Sequence, residues 1–174
     1  MVSTLRFHTY ETGPGWDHRR IAEVAARGPF SADIVVLDPG KLFDPQHLGS
    51  ALMHAARALL RGQARARDRS IEVLRWLSGA HQVSRGLEVM GPDGDSSQLI
   101  MVELPPEWPV EEDSLRFPIL EPASSSPDIN GLTRVEGPSY GGIAALAGLG
   151  ITDLGDENLN RAQVLEIVCL GPIN

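Results

Sequence analysis

Apolar positions recur at helical spacing most clearly between residues 44 and 62. Leu48, Ala51, Leu52, Ala55 and Leu59 fall on one stripe, as an amphipathic helix requires. Asp44 suits the N-cap and Pro45 the first helical position. Phe43 and Leu48 stand where a hydrophobic staple places its two residues, and Gly62 ends the helix. Ser50, His54, Arg57 and Arg61 share the opposite stripe, with two cations near the C-terminal end, where the helix dipole favours them. Upstream, Thr4 to Tyr10 alternates as a strand does. Asp17 to Arg27 predicts a short helix with Ile21, Val24 and Ala25 inward, stopped by Gly28-Pro29. The apolar run Ile34 to Leu37, closed by Asp38-Pro39-Gly40, predicts a buried strand and turn.

Downstream, an arginine-rich link leads into a helix with Ile71, Leu74 and Leu77 on one face, closed by Ser78-Gly79. A further helix runs from Gln82 to Met90, ended by Gly91-Pro92, and Gln98 to Leu104 predicts a strand. Residues 105–139 hold seven prolines and the run Ser124-Ser125-Ser126. They predict a long surface connection, partly disordered, with strands at Leu115 to Leu120 and Leu132 to Glu136. Ser139 is the expected cap of a helix through Ile143, Leu146 and Leu149, stopped by Gly150, and Asp156 of a last helix from Glu157 to Leu170. The stretch Val164 to Leu170 is apolar on nearly every side, so it must be covered all round. Either this chain buries it completely, or a partner covers what the core leaves open. The mixed order of helices and strands predicts an α+β fold: one domain over 1–174 with a small, mostly antiparallel sheet packed with a cluster of helices.

Charge sharpens the picture. The 174 residues carry a net charge of −8, which alone disfavours nucleic acid. Between Arg57 and Arg85, however, seven arginines stand against only Asp68 and Glu72. An acidic body with one basic segment points to a localised anion-binding face, or to a solvated helical surface. One cysteine, Cys169, rules out an intramolecular disulfide and fits a reducing compartment. No apolar run approaches the ~18 residues that span a bilayer, and Met1 to Arg6 lacks a signal-peptide apolar region. No membrane contact and a cytoplasmic location are therefore expected (nuclear is open if the source is eukaryotic). A single lysine among fifteen basic residues leans towards an archaeal source.

Motifs for chemistry are missing. The glycines between 137 and 150 lack a Gly-Lys-Ser/Thr ending, so they form no phosphate loop. His47 and His54 lie seven apart, too far for chelation within one helix, so neither a metal nor another cofactor is expected. No nucleophile elbow is present, and Glu111-Glu112-Asp113 lies among prolines. The expectation is a non-enzyme. The alternatives are a small stand-alone enzyme with a pocket around Asp38, His54 and His81, or a generic protein-interaction domain without RNA.

Residues 34–103 carry a resemblance. An apolar strand ends in Asp38-Pro39, and an alanine-rich helix follows from Leu48 to Leu60. Then come Arg69-Ser70-Ile71-Glu72-Val73-Leu74, Ser78-Gly79-Ala80-His81-Gln82-Val83, a helix ending in Gly91-Pro92, and the strand at 98–102. In order and spacing this resembles the TPRKB-type kinase-binding subunits of the KEOPS complex, although His81 stands where the family often has arginine. KEOPS installs threonylcarbamoyl on adenosine 37 of tRNA. The resemblance implies a non-catalytic, regulatory subunit that binds the kinase/ATPase subunit directly and other KEOPS subunits indirectly. It also implies capture of the single-stranded 3′ end of tRNA. Kinase contact is then expected at Leu146, Val164, Leu165, Val168 and Cys169. Contact with tRNA is expected at Arg57, Arg61, Arg65, Arg67, Arg69 and Arg75, with His81 and Gln82 at base edges.

Overall fold

The computed structural model describes residues 1–27, 30, 32–151 and 155–170, apart from the side chains of Arg27, Cys169 and Leu170. Among these, five strands form one mixed, mostly antiparallel sheet: β1 (Thr4–Thr12), β2 (Asp33–Leu37), β3 (Gln98–Leu104), β4 (Ile119–Pro122) and β5 (Leu132–Arg134). The order is β2-β3-β1-β4, with β5 also on β1. β3 pairs antiparallel with both β2 and β1, with Phe7 opposite Val102 and Val35 opposite that same Val102. The other edge of β1 is shared: Thr4 to Phe7 pair in parallel with β4, and Tyr10 to Thr12 pair antiparallel with β5. The fold is α+β, as expected.

Six α-helices lie among the described residues: α1 (Ile21–Arg27), α2 (Pro45–Leu60), α3 (Arg69–Ser78), α4 (Val83–Met90), α5 (Ile143–Leu146) and α6 (Glu157–Leu170). The expected stop of α1 at Gly28-Pro29 lies outside the described residues. Asp44 caps α2 as expected, its carboxylate accepting from the His47 N–H at 3.0 Å.

Both faces of the sheet are buried, which is why its inner strands read as continuous apolar runs rather than alternating ones. Leu5, Val35, Leu37, Ile100, Val102 and Leu104 face Leu48, Leu52, Val73 and Leu77 of the helices. Tyr10, Ile34, Val36, Leu99 and Met101 pack on the other side with Val24 of α1 and Ile129. Between α2 and α3, the buried His47 is bonded at both ring nitrogens. Nδ1 accepts from the Phe43 N–H at 3.2 Å, so Nε2 carries the proton and donates to the Leu77 carbonyl at 2.9 Å. α3 ends at Gly79, with φ +66. A Cβ there would sit 2.6 Å from Cγ2 of Ile167, so glycine both turns the chain and lets α6 approach.

Two expectations change. The proline-rich stretch runs across the sheet edge and contributes β4 and β5, shifted from their predicted limits. It is anchored by Trp108, 2% exposed in the core, and by Asp113. The Asp113 carboxylate accepts from the Ser3 N–H at 2.8 Å, the Ser3 hydroxyl at 2.7 Å and the Val110 N–H at 2.9 Å. The helix expected from Ser139 to Leu149 is an α-helix only over Ile143–Leu146, followed by a 3-10 turn at Ala147–Leu149. Ser139 does not cap it: its N–H donates to Oε1 of Gln98 at 2.8 Å. Gly142 takes the N-cap position with φ +55, and a glycine at 148 weakens helix continuation by about 1 kcal/mol relative to alanine.

Candidate functional site

The C-terminal half of α2 and the outer side of α3 enclose a groove of about 330 Å³ lined by His54, Arg57, Ala58, Arg61, Gln63, Arg65, Arg75 and Trp76. The stripe of His54, Arg57 and Arg61 supplies one wall and Trp76 the other. His54 lies nearly parallel to Trp76, with ring centroids 5.1 Å apart and planes 18° apart. The imidazole is 7% exposed, and its Nε2 has no hydrogen-bond partner among the described residues. Burial, then the nearby Arg57 charge, lowers its pKa, so the ring stacked on the indole is neutral at pH 7.

Glu72 organises the floor. It is wholly buried, and its carboxylate accepts from the backbone N–H of Arg65 at 3.2 Å and of Ala66 at 3.0 Å, and from Trp76 Nε1 at 3.0 Å. Arg75 completes the cluster with Nε on Oε2 at 3.0 Å and a short Nη2 contact to Oε1. Burial alone would raise the Glu72 pKa, but Arg75 and the N–H donors outweigh it and the net shift is downward. One carboxylate thus fixes the arginine-rich link, the groove-lining indole and a buried cation together.

The predicted cations separate into two groups. Arg57, Arg61 and Arg65 border the groove, and exposed Arg67 follows on the same link. Arg57 leans on the Ser114 carbonyl, at 2.8 Å from Nη2. The side chains of Arg61 and Arg67 make no hydrogen bond or ion pair among the described residues. His81 stands beside them, its Nδ1 3.5 Å from Nη1 of Arg65, and exposed Gln82 is the N-cap of α4. Arg75 is 2% exposed and committed to Glu72. Arg69 clamps the sheet edge: it pairs with Asp33 at 2.6 Å and donates to the carbonyls of Leu104, Pro105 and Trp108. A buried ion pair and a carbonyl clamp leave little of either guanidinium for an external phosphate. Linear charge counting could not see this, although Glu72 three residues before Arg75 was a visible signal.

α6 is covered on one side by its own chain. Val164 packs with Phe43 and Leu146, Val168 joins the main core, and Val164, Val168 and Leu146 have no exposed surface. These three expected kinase contacts are therefore core residues in the isolated chain, because helices α2, α3 and α5 all pack on this face. Leu165 and Ile167 are half-buried, and Leu159 is 51% and Ile143 60% exposed. The side chain of Cys169 lies outside the described residues.

The imagined pocket of Asp38, His54 and His81 does not form. Asp38 caps the turn after β2, accepting from Gly40 N–H at 2.7 Å and Ser96 hydroxyl at 2.6 Å, and it lines no part of the groove. Among the described residues no three His, Cys, Asp or Glu side chains are placed to hold a metal ion, and no helix is long and apolar enough to cross a membrane.

Fold and site define a small α+β domain with a cationic groove, a buried carboxylate beneath it and a half-covered terminal helix. Residues 18–122 match the family described as kinase binding protein CGI-121, and over that majority of its length the chain belongs to this family of kinase-binding proteins. The match contains β2, β3, β4, α1 to α4 and the whole groove, while β1 and β5 lie outside it. No individual curated protein matches the sequence.

Proposed function

We propose that this chain is the kinase-binding subunit of a KEOPS-type complex, non-catalytic in the transfer to tRNA, and that it recruits tRNA by its unpaired 3′ end for threonylcarbamoylation of adenosine 37. Family membership supports the kinase contact. The observation that carries the tRNA reading is the half-buried Trp76 indole, backed by the buried, neutral His54 and walled by Arg57, Arg61 and Arg65. Single-stranded RNA is held in this way: aromatic faces take unstacked bases, and arginines take the phosphates between them. The acidic remainder of the chain turns the backbone of RNA away from other surfaces and confines it to the groove.

The kinase/ATPase subunit docks on the outward side of α6, through Leu165 and the neighbouring exposed Leu159 and Ile143, with Cys169 at the end of the same helix. Exposed apolar side chains at an edge of a small domain are what an interface covers. In the complex the chain supplies binding and positioning; it contacts the remaining subunits through the kinase, in the cytoplasm. The test is co-purification with the kinase-like subunit, followed by binding of whole tRNA and of tRNA lacking its 3′ tail. Tail-dependent binding that the kinase-like subunit does not block is expected. Failure to co-purify, or equal binding of both tRNAs, would overturn the reading.

A further inference from the structure

On the far side of the sheet from the helical layer, three side chains form a chain of two hydrogen bonds. Ser126 Oγ lies 2.8 Å from His8 Nδ1, and His8 Nε2 lies 2.6 Å from Glu103 Oε1. His8 is 3% exposed and tilted against Phe30, so its ring is held in one orientation. β1 and β3 place His8 and Glu103 on one face: His8 pairs with Met101, and Glu103 stands two residues further along. The loop residue Ser126 is fixed by its neighbour, because the Tyr10 hydroxyl donates to the Pro127 carbonyl at 2.8 Å. With a carboxylate on Nε2, the imidazole carries its proton there and presents the Nδ1 lone pair to the serine hydroxyl. The three residues open on a polar cavity of about 420 Å³ with Arg6 and Ser124. The N–H groups of Ser124, Ser125 and Ser126 donate to no acceptor among the described residues.

We propose that Ser126 is a base-activated nucleophile that accepts and hydrolyses short, polar acyl esters. Nucleophile, base and orienting carboxylate are recognised by such geometry and not by their order in the sequence. Ser126 Oγ attacks the ester carbonyl carbon as its proton passes to His8 Nδ1. The free N–H groups of the serine loop receive the charge that builds on the carbonyl oxygen. The bond to the leaving oxygen breaks, and that oxygen takes the proton from Nδ1. Water then attacks the acyl-serine by the same relay, releasing the acid and restoring the hydroxyl. The polar walls, with Arg6 at the rim 66% exposed and 3.8 Å from the Glu103 carboxylate, select small, polar acyl groups. His8 and Ser126 are the catalytic residues, and Glu103 is a positioning residue. The site is remote from the groove and independent of the kinase and tRNA reading.

The test uses the whole chain and p-nitrophenyl acetate. A stopped-flow burst of p-nitrophenolate is expected, with the acetyl group mapped to Ser126 by peptide mass spectrometry. Ser126→Ala should abolish the adduct while Ser125→Ala keeps it. His8→Asn should slow acetylation by at least about 100-fold. Glu103→Gln should slow it, and Glu103→Asp should restore part of the rate, which a carboxylate serving only to hold the loop would not do. No adduct on Ser126 in the folded wild-type protein, or equal labelling of the Ser125 and Ser126 positions, would overturn the proposal and leave the network as a latch between loop and sheet.

Discussion

Trp76 is tied to Glu72 across one turn of α3, its indole N–H donating to Oε1 at 3.0 Å while its ring lies parallel to His54. The same carboxylate neutralises Arg75, so groove geometry and core integrity share one residue. Removing it should therefore damage both.

Glu72→Ala strands the Arg75 guanidinium inside the protein. A loss of about 3–5 kcal/mol is expected, read as a lower urea midpoint. The double variant Glu72→Met/Arg75→Met should recover most of that stability but none of the groove's affinity for RNA, because the indole and the 65–66 backbone lose their anchor. A single variant as stable as wild type would show the pair to be dispensable.

The stack should be worth more to RNA than to folding. Trp76→Ala is expected to weaken binding of a tRNA 3′ tail oligonucleotide by about 1–3 kcal/mol, measured by fluorescence anisotropy. His54→Ala should act in the same direction. Unchanged affinity in both would remove the groove as the base site.

The salt dependence of RNA binding distinguishes the two groups of arginines. Replacing Arg61, Arg65 and Arg67 by alanine should flatten the slope of log K against log salt by up to about 2, at roughly 0.7 per phosphate on a single strand. Arg69→Ala should leave that slope nearly intact and lower the thermal midpoint, since its partners are Asp33 and four backbone carbonyls.

Acid should weaken the fold before the carboxylates titrate. The pKa of His47 is lowered from 6.5 by burial, only partly offset by the Leu77 carbonyl and Asp44, and protonating Nδ1 would face the Phe43 N–H. The unfolded chain then binds more protons than the native one, so stability falls as pH drops below about 6.5 and continues falling towards the lowered native pKa. His54 shifts in the same direction. Urea midpoints at pH 7.5, 6.5 and 5.5 should fall in that order below 6.5; a flat profile would contradict it.

The terminal helix offers a contrast within one turn. Leu165→Asp, on the half-open side, should abolish capture of the kinase-like subunit while circular dichroism and the thermal midpoint stay near wild type. Val168→Asp puts a carboxylate among core side chains and should unfold the domain instead. Intact capture by Leu165→Asp would move the dock away from α6.

Periodicity, caps and breakers gave α2, α3, α4 and β3 within a residue or two, because those signals are local: Asp44 with its N–H partner and Gly79 with its positive φ act within a few residues of themselves. The Arg57–Arg61–His54 wall was legible for the same reason, as a stripe at helical spacing. What the linear chain could not disclose was how distant groups neutralise one another. Arg69 and Arg75 count as free charges until Asp33 and Glu72 are brought against them, and Val164 and Val168 count as surplus apolar surface until α2, α3 and α5 cover them. The proline-rich stretch read as slack because its partners, β1 and Ser3, lie more than a hundred residues away. Sequence set the local conformations; burial and pairing across the fold decided which charged and apolar side chains remained available to a partner.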